Sequence, residues 1–421
     1  MPAAEIAADD KEKMMLQPDK MRGHEMIGSA EIAAGLDFAC DQILGILPDF
    51  TYAFQPAYSV GNFYTPSEND DWTDGFWTGQ IWLAYEYLKR SHRKGQEDID
   101  RLRHAGKVQV SSFLNRIEKK ISVDHHDMGF LYSPSCVAAY KLTGDEDAKH
   151  AAILAADQLL TRFQKVGGFL QAWGPMDQKE NYRLIIDCLL NVPLLFWASS
   201  ATGDDKYRKI ALTHIHTAVA NVICEDGSTW HTFFFDPVTG APDHGETCQG
   251  YRNGSAWARG QAWGIYGMAM AYRYTNDPSY IDLFYRVADY FTANLPDDLI
   301  PYWDLEFTSW TQKQLEEDPQ PFDSSAASIA ACGMLEMSKY LPQDMADRYR
   351  SYAKKLMKAL YDKCAVHDHT VSNGLVLHST YSNHSPYNTC NHYGVDECNS
   401  WGDYFYMEAL TRLDCDWEVY W

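Results

Sequence analysis

Apolar residues recur at three- and four-residue spacing through most of the chain, which is the pattern of helices that bury one face. Several segments begin at helix-starting residues such as Asp74, Asp204 and the Asn276-Asp277-Pro278 triplet. The pattern predicts twelve helices, over residues 29–46, 74–91, 97–120, 130–144, 146–164, 183–200, 205–223, 255–275, 278–295, 324–340, 344–363 and 398–412. Strand-like alternation is scarce: residues 228–240 predict a hairpin or extended loop, and residues 365–380 another.

The predicted helices are similar in length and form pairs that are separated by long connections. These connections are rich in Trp, His, Asp and Gly, and they span residues 50–73, 121–130, 166–182, 224–254, 300–323 and 378–398. An open α-solenoid fits the helices equally well, but a closed ring of helix hairpins gathers such loops at one end to build a site. We therefore predict an all-α fold, an (α/α)6 barrel or six-hairpin toroid with long loops at one end forming a cleft. Residues 1–28 are expected to be a flexible or partly docked lead-in, and residues 29–421 a single domain.

Composition and charge narrow the range of partners. Aromatic residues make up 14% of the 421 residues, including 13 Trp and 27 Tyr, which favours carbohydrate binding, although an aromatic-rich core has the same composition. A formal net charge of −22 argues against nucleic acid and anionic membranes as partners. No apolar run of about 18 residues predicts a membrane span. Ten cysteines without a CxxC pair, and no signal peptide, indicate a reduced, cytoplasmic protein unless a leader has been removed.

An aspartate, Asp187, stands within the apolar stretch RLIIDCLLNVPLLF (183–196). A buried carboxylate is costly without a partner or a task. On a helix, Arg183, Asp187 and Asn191 would form one polar stripe, which an inner helix of a two-layered barrel would turn towards the central cleft. The stripe predicts either a site carboxylate or a structural Arg183–Asp187 ion pair.

A second carboxylate, Asp127, lies in the stretch DHHDMG (124–129). It could cap a helix, or bind a metal together with its histidine neighbours. Adjacent side chains rarely converge on one metal, and no HExxH or facial-triad spacing accompanies them, so we predict no metal and no cofactor. Asp187 in an apolar setting and Asp127 in a polar one suit acid–base hydrolysis of a glycosidic linkage.

The stretch ETCQGYRNGSAWARGQAWGIYG (246–267) leads from a glycine-rich loop into a predicted helix. Arg259 lies there between Trp257 and Trp263, and could hold a carboxylate while the rings stack on a sugar. The alternative is an aromatic helix start packed in the core. His231, in WHTFFFDP, is either a core histidine or a polar group at the cleft. Phosphate-loop, dinucleotide-binding and nucleophile-elbow motifs are absent.

Five blocks together resemble the unsaturated glucuronyl hydrolases of glycoside hydrolase family 88. They follow the family's order from about residue 30 to residue 412 and read WTDGFWTGQIWLAYEY (72–87), DHHDMGFLYSPS (124–135), RLIIDCLLNVPLL (183–195), RNGSAWARGQAWGIYG (252–267) and NSWGDYFYMEAL (399–410). The resemblance implies an (α/α)6 barrel and a reaction that removes a 4,5-unsaturated glucuronic acid from the non-reducing end of lyase-generated oligosaccharides of the glycosaminoglycan type. An acid protonates C4 of the vinyl ether, water adds at C5, and the hemiketal collapses.

The resemblance also implies roles for individual residues. Asp187 matches the catalytic acid/base and Asp127 the second aspartate of the family. Substrate-binding positions around the unsaturated ring are implied for His126, His231, Gln249, Trp257, Arg259 and Trp263, and further aromatic platforms for Trp77 and Trp173. The expected partner is a di- or oligosaccharide bearing an unsaturated uronate, bound by a monomer or homodimer.

One departure leaves the sulfate preference open. Family members acting on sulfated fragments often carry SxxSxK in a late loop, whereas this chain has Ser379, Ser382 and His384 in STYSNH. The resemblance implies that these three residues bind the substrate. A fixed positive charge thus becomes a pH-dependent one. Two alternatives also remain. One is an unsaturated galacturonyl or rhamnogalacturonyl hydrolase of pectin fragments, and the other is a non-catalytic carbohydrate-binding toroid, which would not need Asp187.

Overall fold

Helices dominate the computed structural model, which describes residues 20–421. In chain order they are α1 (Ser29–Phe50), α2 (Asp74–Ser91), α3 (Gln96–Glu118), α4 (Met128–Tyr132), α5 (Ala138–Thr143), α6 (Glu146–Leu160), α7 (Pro193–Thr202), α8 (Asp205–Val222), α9 (Ala258–Thr275), α10 (Ser279–Ala293), α11 (Gln312–Glu317), α12 (Ser324–Met337), α13 (Gln343–Lys363) and α14 (Ser400–Asp414). A π-helical turn, Ser133–Val137, joins α4 to α5 into one interrupted helix.

Burial divides these helices into an inner and an outer ring. Helix α9 is buried at every position from Ala258 to Ala271, whereas α10 buries a single face, which repeats every three to four residues from Tyr280 to Thr292. The inner ring consists of α2, α4–α5, α7, α9, α12 and α14, and it closes on itself because α14 packs against α2. Helices α1, α3, α6, α8, α10 and α13 alternate with them along the chain and form the outer ring. This arrangement is the (α/α)6 barrel that the sequence predicts.

The connections differ sharply at the two ends of the barrel. Each inner helix passes to the next outer helix through a short turn, and Gly144 and Gly203 end two inner helices with φ angles of 70° and 75°, in the left-handed region that glycine adopts without strain. Each outer helix returns to the next inner helix through a long connection. The amino-terminal ends of all six inner helices therefore meet the long loops at one end of the barrel.

Three small antiparallel sheets shape these loops. They are β1 (Phe163–Gln164) with β2 (Phe169–Leu170), β3 (Arg183–Ile185) with β4 (Thr232–Phe235) and β5 (Pro242–Glu246), and β6 (Ser379–Ser382) with β7 (Tyr393–Glu397). Strands β4 and β5 form the hairpin predicted around residues 228–240. Near residues 365–380, the chain forms an isolated bridge between Ala365 and Val376 and then β6.

The predicted helix over residues 183–200 is wrong in its first half. Residues 183–185 form β3, Ile186–Leu190 form a 3-10 turn, and the α-helix begins only at Pro193. The β-branched residues Ile185 and Ile186 suit a strand, and the backbone N–H of Ile186 donates to the carbonyl of His231 (3.0 Å). Pro193 then starts the helix at a position where its missing N–H costs nothing. Arg183 and Asp187 therefore do not share a helical stripe.

The described part of the predicted lead-in is docked. Met21 is fully buried, its carbonyl accepts a hydrogen bond from Lys355 Nζ (2.8 Å), and the N–H of Ile27 donates to the carbonyl of Lys354 (3.1 Å). Both contacts are to helix α13. Residues 1–19 of the predicted lead-in lie outside the described residues. Within residues 20–421, no helix is both long and apolar enough to cross a membrane.

Candidate active site

Asp187 lies in the 3-10 turn that follows β3, with its neighbours Ile186 and Cys188 fully buried. Its carboxyl is almost fully buried, and Oδ1 has no hydrogen-bond partner among the described residues. Burial raises its pKa to about 7; the charge of Asp127 acts in the same direction, and Arg259 opposes it. Near neutral pH a large share of this carboxyl is therefore protonated and able to donate a proton.

The alternative ion pair between Arg183 and Asp187 is not formed. The Arg183 guanidinium lies over the rings of Trp173 and Phe234, 5.0 Å and 5.3 Å from their centroids, and Nη1 donates to the carbonyl of Glu180 (2.8 Å). The influences on the pKa of Asp187 are burial, Asp127, Arg259 and a backbone hydrogen bond, and Arg183 is not among them. Arg183 therefore does not lower the pKa of the acid.

Asp127 directly precedes α4, yet its carboxylate does not cap that helix. Oδ2 lies 3.0 Å from His125 Nδ1, and Oδ1 lies 3.2 Å from His126 Nε2 and 3.5 Å from Asn191 Nδ2. Burial alone would raise the pKa of Asp127, but His126, His125 and Asn191 more than offset it, so the pKa lies below its usual value. The site thus pairs an ionised Asp127 with an Asp187 that is still partly protonated near neutral pH.

His126 is neutral in this setting. Burial lowers its pKa to about 4, against the opposing influence of Asp127. A neutral imidazole that contacts a carboxylate through Nε2 carries its proton there, so His126 is a donor to Asp127. Its Nδ1 is buried with no partner among residues 20–421, which leaves an acceptor free for a bound molecule or a water.

A close approach between Gly129 and Asn191 brings the two aspartates together. A Cβ at Gly129 would lie 2.3 Å from the Asn191 Cα, so only glycine allows the start of α4 to touch this backbone. The Asn191 amide then joins the start of α4 to the turn of Asp187: Oδ1 accepts from the N–H of Phe130 (2.8 Å), and Nδ2 lies 3.3 Å from the carbonyl of Asp187 and 3.5 Å from Asp127 Oδ1. Asn191 thereby fixes the spacing of the two carboxyl groups.

His231, at the start of β4, is held as a hydrogen-bond donor. Its Nδ1 accepts from the backbone N–H groups of Cys248 (3.0 Å) and Gln249 (3.3 Å), so the proton of the neutral ring must reside on Nε2. Burial, together with the positive charge of Arg259, lowers its pKa to about 3. Its ring packs on Trp257 at a centroid distance of 4.5 Å.

Arg259, in the first turn of α9, is held more tightly than the sequence suggests. Its guanidinium lies between the rings of Trp257 and Trp401, at 4.5 Å and 4.9 Å, so the second ring is Trp401 and not Trp263. Nη1 donates to Asp323 Oδ2 (2.8 Å), an ion pair that neutralises its charge. The other η hydrogens go to Gln249 Oε1 and to the carbonyls of Thr380 and Tyr381, and buried Nε has no partner among residues 20–421. Of the five N–H groups of Arg259, only the one on Nε is thus left for a substrate.

Three of the predicted aromatic positions are buried and cannot present a ring face to a sugar. Trp257 is covered by the His231 ring and the Arg259 guanidinium, each 4.5 Å from its ring centroid. Trp77 is fully buried and donates its Nε1–H to the carbonyl of Phe50 (3.1 Å). Trp263 is also fully buried, against Phe130 and Phe405, although its Nε1 has no partner in the described chain and can donate to a bound group. The prediction of Trp77 as a platform is wrong because α2 is buried on all sides. Trp173, by contrast, is 36% exposed and stays a candidate platform beside His126.

Two aromatic residues at the loop end of the barrel, Trp72 and Tyr381, were not predicted from the sequence as site residues. Trp72 is half-buried, stacks on Trp401 at 5.2 Å, and donates its Nε1–H to the hydroxyl of Tyr381 (3.1 Å). Trp72 lies two residues before the start of α2, at the loop end of the barrel. The predicted platform, Trp77, lies five positions later, inside the helix. The position of Trp72 before the helix start is the signal by which it could have been found.

The late loop does not assemble the predicted anion site. Ser379 is fully buried, and its hydroxyl lies 2.7 Å from that of Ser324. The prediction that Ser379 binds the substrate is therefore wrong. Ser382 is buried and donates to the carbonyl of Asn391 (2.8 Å). His384 alone is exposed, with Nδ1 2.9 Å from the carbonyl of Cys390.

Two further observations bear on the chemistry. No group of three His, Cys, Asp or Glu side chains is placed to hold a metal ion within the described range. The cysteines from Cys40 to Cys415 are all free thiols. The chemistry that the geometry itself supports is proton transfer from Asp187 to a bound molecule beside an ionised Asp127.

The fold and the carboxyl pair define a glycoside hydrolase built on an (α/α)6 barrel. The chain belongs to Glycosyl Hydrolase Family 88, whose sequence model matches residues 48–413. It is 43% identical over 406 residues to the unsaturated chondroitin disaccharide hydrolase of Streptococcus pneumoniae, covering 96% of this chain and 97% of that protein.

Solved structures agree with this assignment. The crystal structure of an unsaturated glucuronyl hydrolase from Streptococcus agalactiae superposes with a TM-score of 0.86 at 43% identity, covering 96% of this chain and 97% of the other. An aspartate-to-asparagine variant of that enzyme, complexed with dGlcA-GalNAc6S, gives a TM-score of 0.79 at 40% identity and 96% coverage of both chains.

Proposed function

We propose that this protein removes the 4,5-unsaturated glucuronic acid from the non-reducing end of lyase-generated glycosaminoglycan disaccharides and short oligosaccharides. The observation that carries the proposal is the buried Asp187, whose pKa of about 7 keeps a proton available beside ionised Asp127. The relatives with chondroitin disaccharide and glucuronyl hydrolase activity support the same substrate class.

The vinyl ether of the unsaturated uronate is a weak base, so the reaction requires an acid that is still protonated near neutral pH. Asp187 protonates C4, and an ionised carboxylate is then needed to take a proton from the water that adds at C5. Deprotonated Asp187 can accept that proton, while Asp127 holds the sugar and stabilises the positive charge that develops on the ring. The resulting hemiketal opens to release the remaining sugar and a keto acid.

Donors around the acid suit the substrate's oxygen atoms. His231 Nε2–H, Trp263 Nε1–H and Arg259 Nε–H are neutral or charge-compensated donors without protein partners in residues 20–421. Trp173 and Trp72 offer the ring faces that remain accessible. These donors and ring faces can therefore orient one sugar ring beside the buried carboxyl of Asp187.

The test is the ultraviolet absorbance of the substrate's C=C bond. Incubation of the protein with an unsaturated chondroitin disaccharide should remove that absorbance in step with release of the amino sugar. An unchanged signal across sulfated and unsulfated chondroitin, heparin and hyaluronan disaccharides, from a folded sample, would overturn the proposal. Loss of signal only with unsaturated galacturonyl pectin fragments would assign the alternative activity instead.

A further inference from the structure

Arg183 lies at the rim of the active site in a stack of flat side chains. It is the first residue of β3 and pairs across the sheet with Phe234, which in turn pairs with His244. These three residues and Trp173 form a continuous row, because the guanidinium lies over Trp173 and Phe234 and the His244 ring stacks on Phe234 at 4.9 Å. The two rings fix the plane of the guanidinium before any ligand arrives.

The charge of Arg183 is not neutralised by a contacting carboxylate in residues 20–421, although Glu246 lies near enough to act on it. Arg183 forms no ion pair in that range, and only one of its five N–H groups donates to the protein, to the carbonyl of Glu180. Arg259, the other arginine of the site, is in contrast neutralised by Asp323. In a chain of net charge −22, a half-buried arginine without a carboxylate partner is unusual and requires an explanation.

Arg183 is also linked directly to the catalytic pair. Its carbonyl accepts from the N–H of Ala172 (3.2 Å), and the carbonyl of Ala172 accepts from the N–H of His126 (2.8 Å). Trp173 lies between the two side chains, since its ring meets His126 edge-on at 6.3 Å and Arg183 face-on. The Trp173 ring thus separates the guanidinium from His126, and the charge of Arg183 still helps to lower the pKa of that imidazole.

We propose that Arg183 is a substrate-binding residue that takes up an oxyanion of the unsaturated oligosaccharide. This inference rests on the proposed function, in which every substrate carries a carboxylate and some carry a sulfate on the adjacent sugar. A planar guanidinium binds either group through two parallel N–H···O bonds, which lysine cannot do. Arg183, and not the late loop around His384, then supplies the positive charge of the site that no contacting carboxylate neutralises.

Arg183→Gln tests the proposal by removing the charge while keeping a polar side chain. We expect KM for unsaturated chondroitin disaccharides to rise about tenfold or more, with kcat little changed, because one charge-assisted contact is lost. Arg183→Lys should restore part of the affinity. An equal rise with 6-sulfated and unsulfated disaccharides identifies the uronate carboxylate as the bound group, and a rise confined to the sulfated substrate identifies the sulfate.

Arg208→Gln is the matched control. Arg208 is also half-buried, lies over an aromatic ring (Phe196, 5.5 Å) and donates to a single carbonyl, that of Tyr274, but it lies at the opposite end of the barrel. Calorimetric Kd values in an Asp187→Asn background decide the question independently of turnover. The proposal is overturned if Arg183→Gln has the same KM and Kd as Arg208→Gln, or if it lowers only kcat and Tm. Either result would overturn it even if the wild type hydrolyses the substrate.

Discussion

Asp127 and Asp187 lie 60 residues apart in the chain, yet the charge of Asp127 contributes to the raised pKa of Asp187. Burial supplies the larger part of that shift. The two carboxyl groups thereby take opposite protonation states within one pocket, which is the usual way in which a site obtains both an acid and a base from the same residue type. Each of the following predictions tests a part of this arrangement.

Asp187→Asn should abolish turnover while leaving binding largely intact, because the amide has nearly the shape of the carboxyl but cannot donate the proton. We expect the rate to fall about 10²–10⁴-fold or more, which is the usual contribution of a general acid. Ultraviolet absorbance measures turnover, and calorimetry with the disaccharide measures binding. Near-normal turnover in this variant would mean that another group is the acid.

Asp403→Asn is the control for loss of a buried carboxyl as such. Burial also raises the pKa of Asp403 to about 7, but its oxygens are fully used by the N–H groups of Leu375 and Val376 and the hydroxyl of Tyr64. This variant should be destabilised by about 1–3 kcal/mol yet still turn over substrate. Equal loss of turnover in the two variants would contradict a specific role for Asp187.

The pH dependence of the rate should follow the ionisation of Asp187. Because the active form is the protonated one, and its pKa is about 7, activity should be high below that pH and fall about tenfold for each pH unit above it. In Asp127→Asn the neighbouring negative charge is lost, so the pKa of Asp187 falls and the descending limb moves to lower pH. The dependence of kcat on pH in Asp127→Asn measures this shift. If the fall of kcat at high pH occurs at the same pH as in the wild type, the charge of Asp127 does not act on Asp187.

The sequence predicted the helices because apolar residues recur every three or four positions along most of them. It misread residues 183–192 because a short, fully buried apolar run has no periodicity that distinguishes a helix from a strand. Pairing with β4, almost 50 residues later, decided that conformation. The partners of Arg259 were equally beyond sequence reasoning, since Asp323 and Thr380 reach it only through the closed ring.

Asn191→Ala should weaken both the fold and the acid–base pair. It would leave the buried N–H of Phe130 without a partner, and we expect the free energy of unfolding to fall by about 1–3 kcal/mol. One hydrogen bond that stabilises ionised Asp127 is also lost, so the pKa of Asp127 should rise. Denaturant unfolding and the acidic limb of the kcat profile measure the two effects. Asn221→Ala, which removes an amide bonded only to Thr217 on outer helix α8, should change neither.

Trp72→Ala and Trp77→Ala should separate sugar binding from core packing. Trp72 is half-buried at the loop end, so its removal should raise KM several-fold, with a small effect on stability. Trp77 is fully buried, so its removal should cost about 3–5 kcal/mol of stability and leave KM unchanged in the protein that stays folded. Thermal unfolding and initial rates measure both. If KM rose in Trp77→Ala and not in Trp72→Ala, Trp77 would be the sugar-binding ring, as the sequence predicted.

His384→Lys tests whether the late loop reads sulfate. The substitution places a fixed positive charge on an exposed side chain, but Ser379 is bonded to Ser324 and Ser382 to Asn391, so neither hydroxyl is free to complete a sulfate site. An isolated exposed charge stabilises an ionic contact by at most about 1 kcal/mol, or roughly fivefold in affinity. We therefore expect the ratio of kcat/KM for 6-sulfated over unsulfated chondroitin disaccharide to rise less than about fivefold in this variant. A much larger rise would mean that the loop rearranges on binding to release its serines, and sulfate recognition would then belong to this loop and not to Arg183.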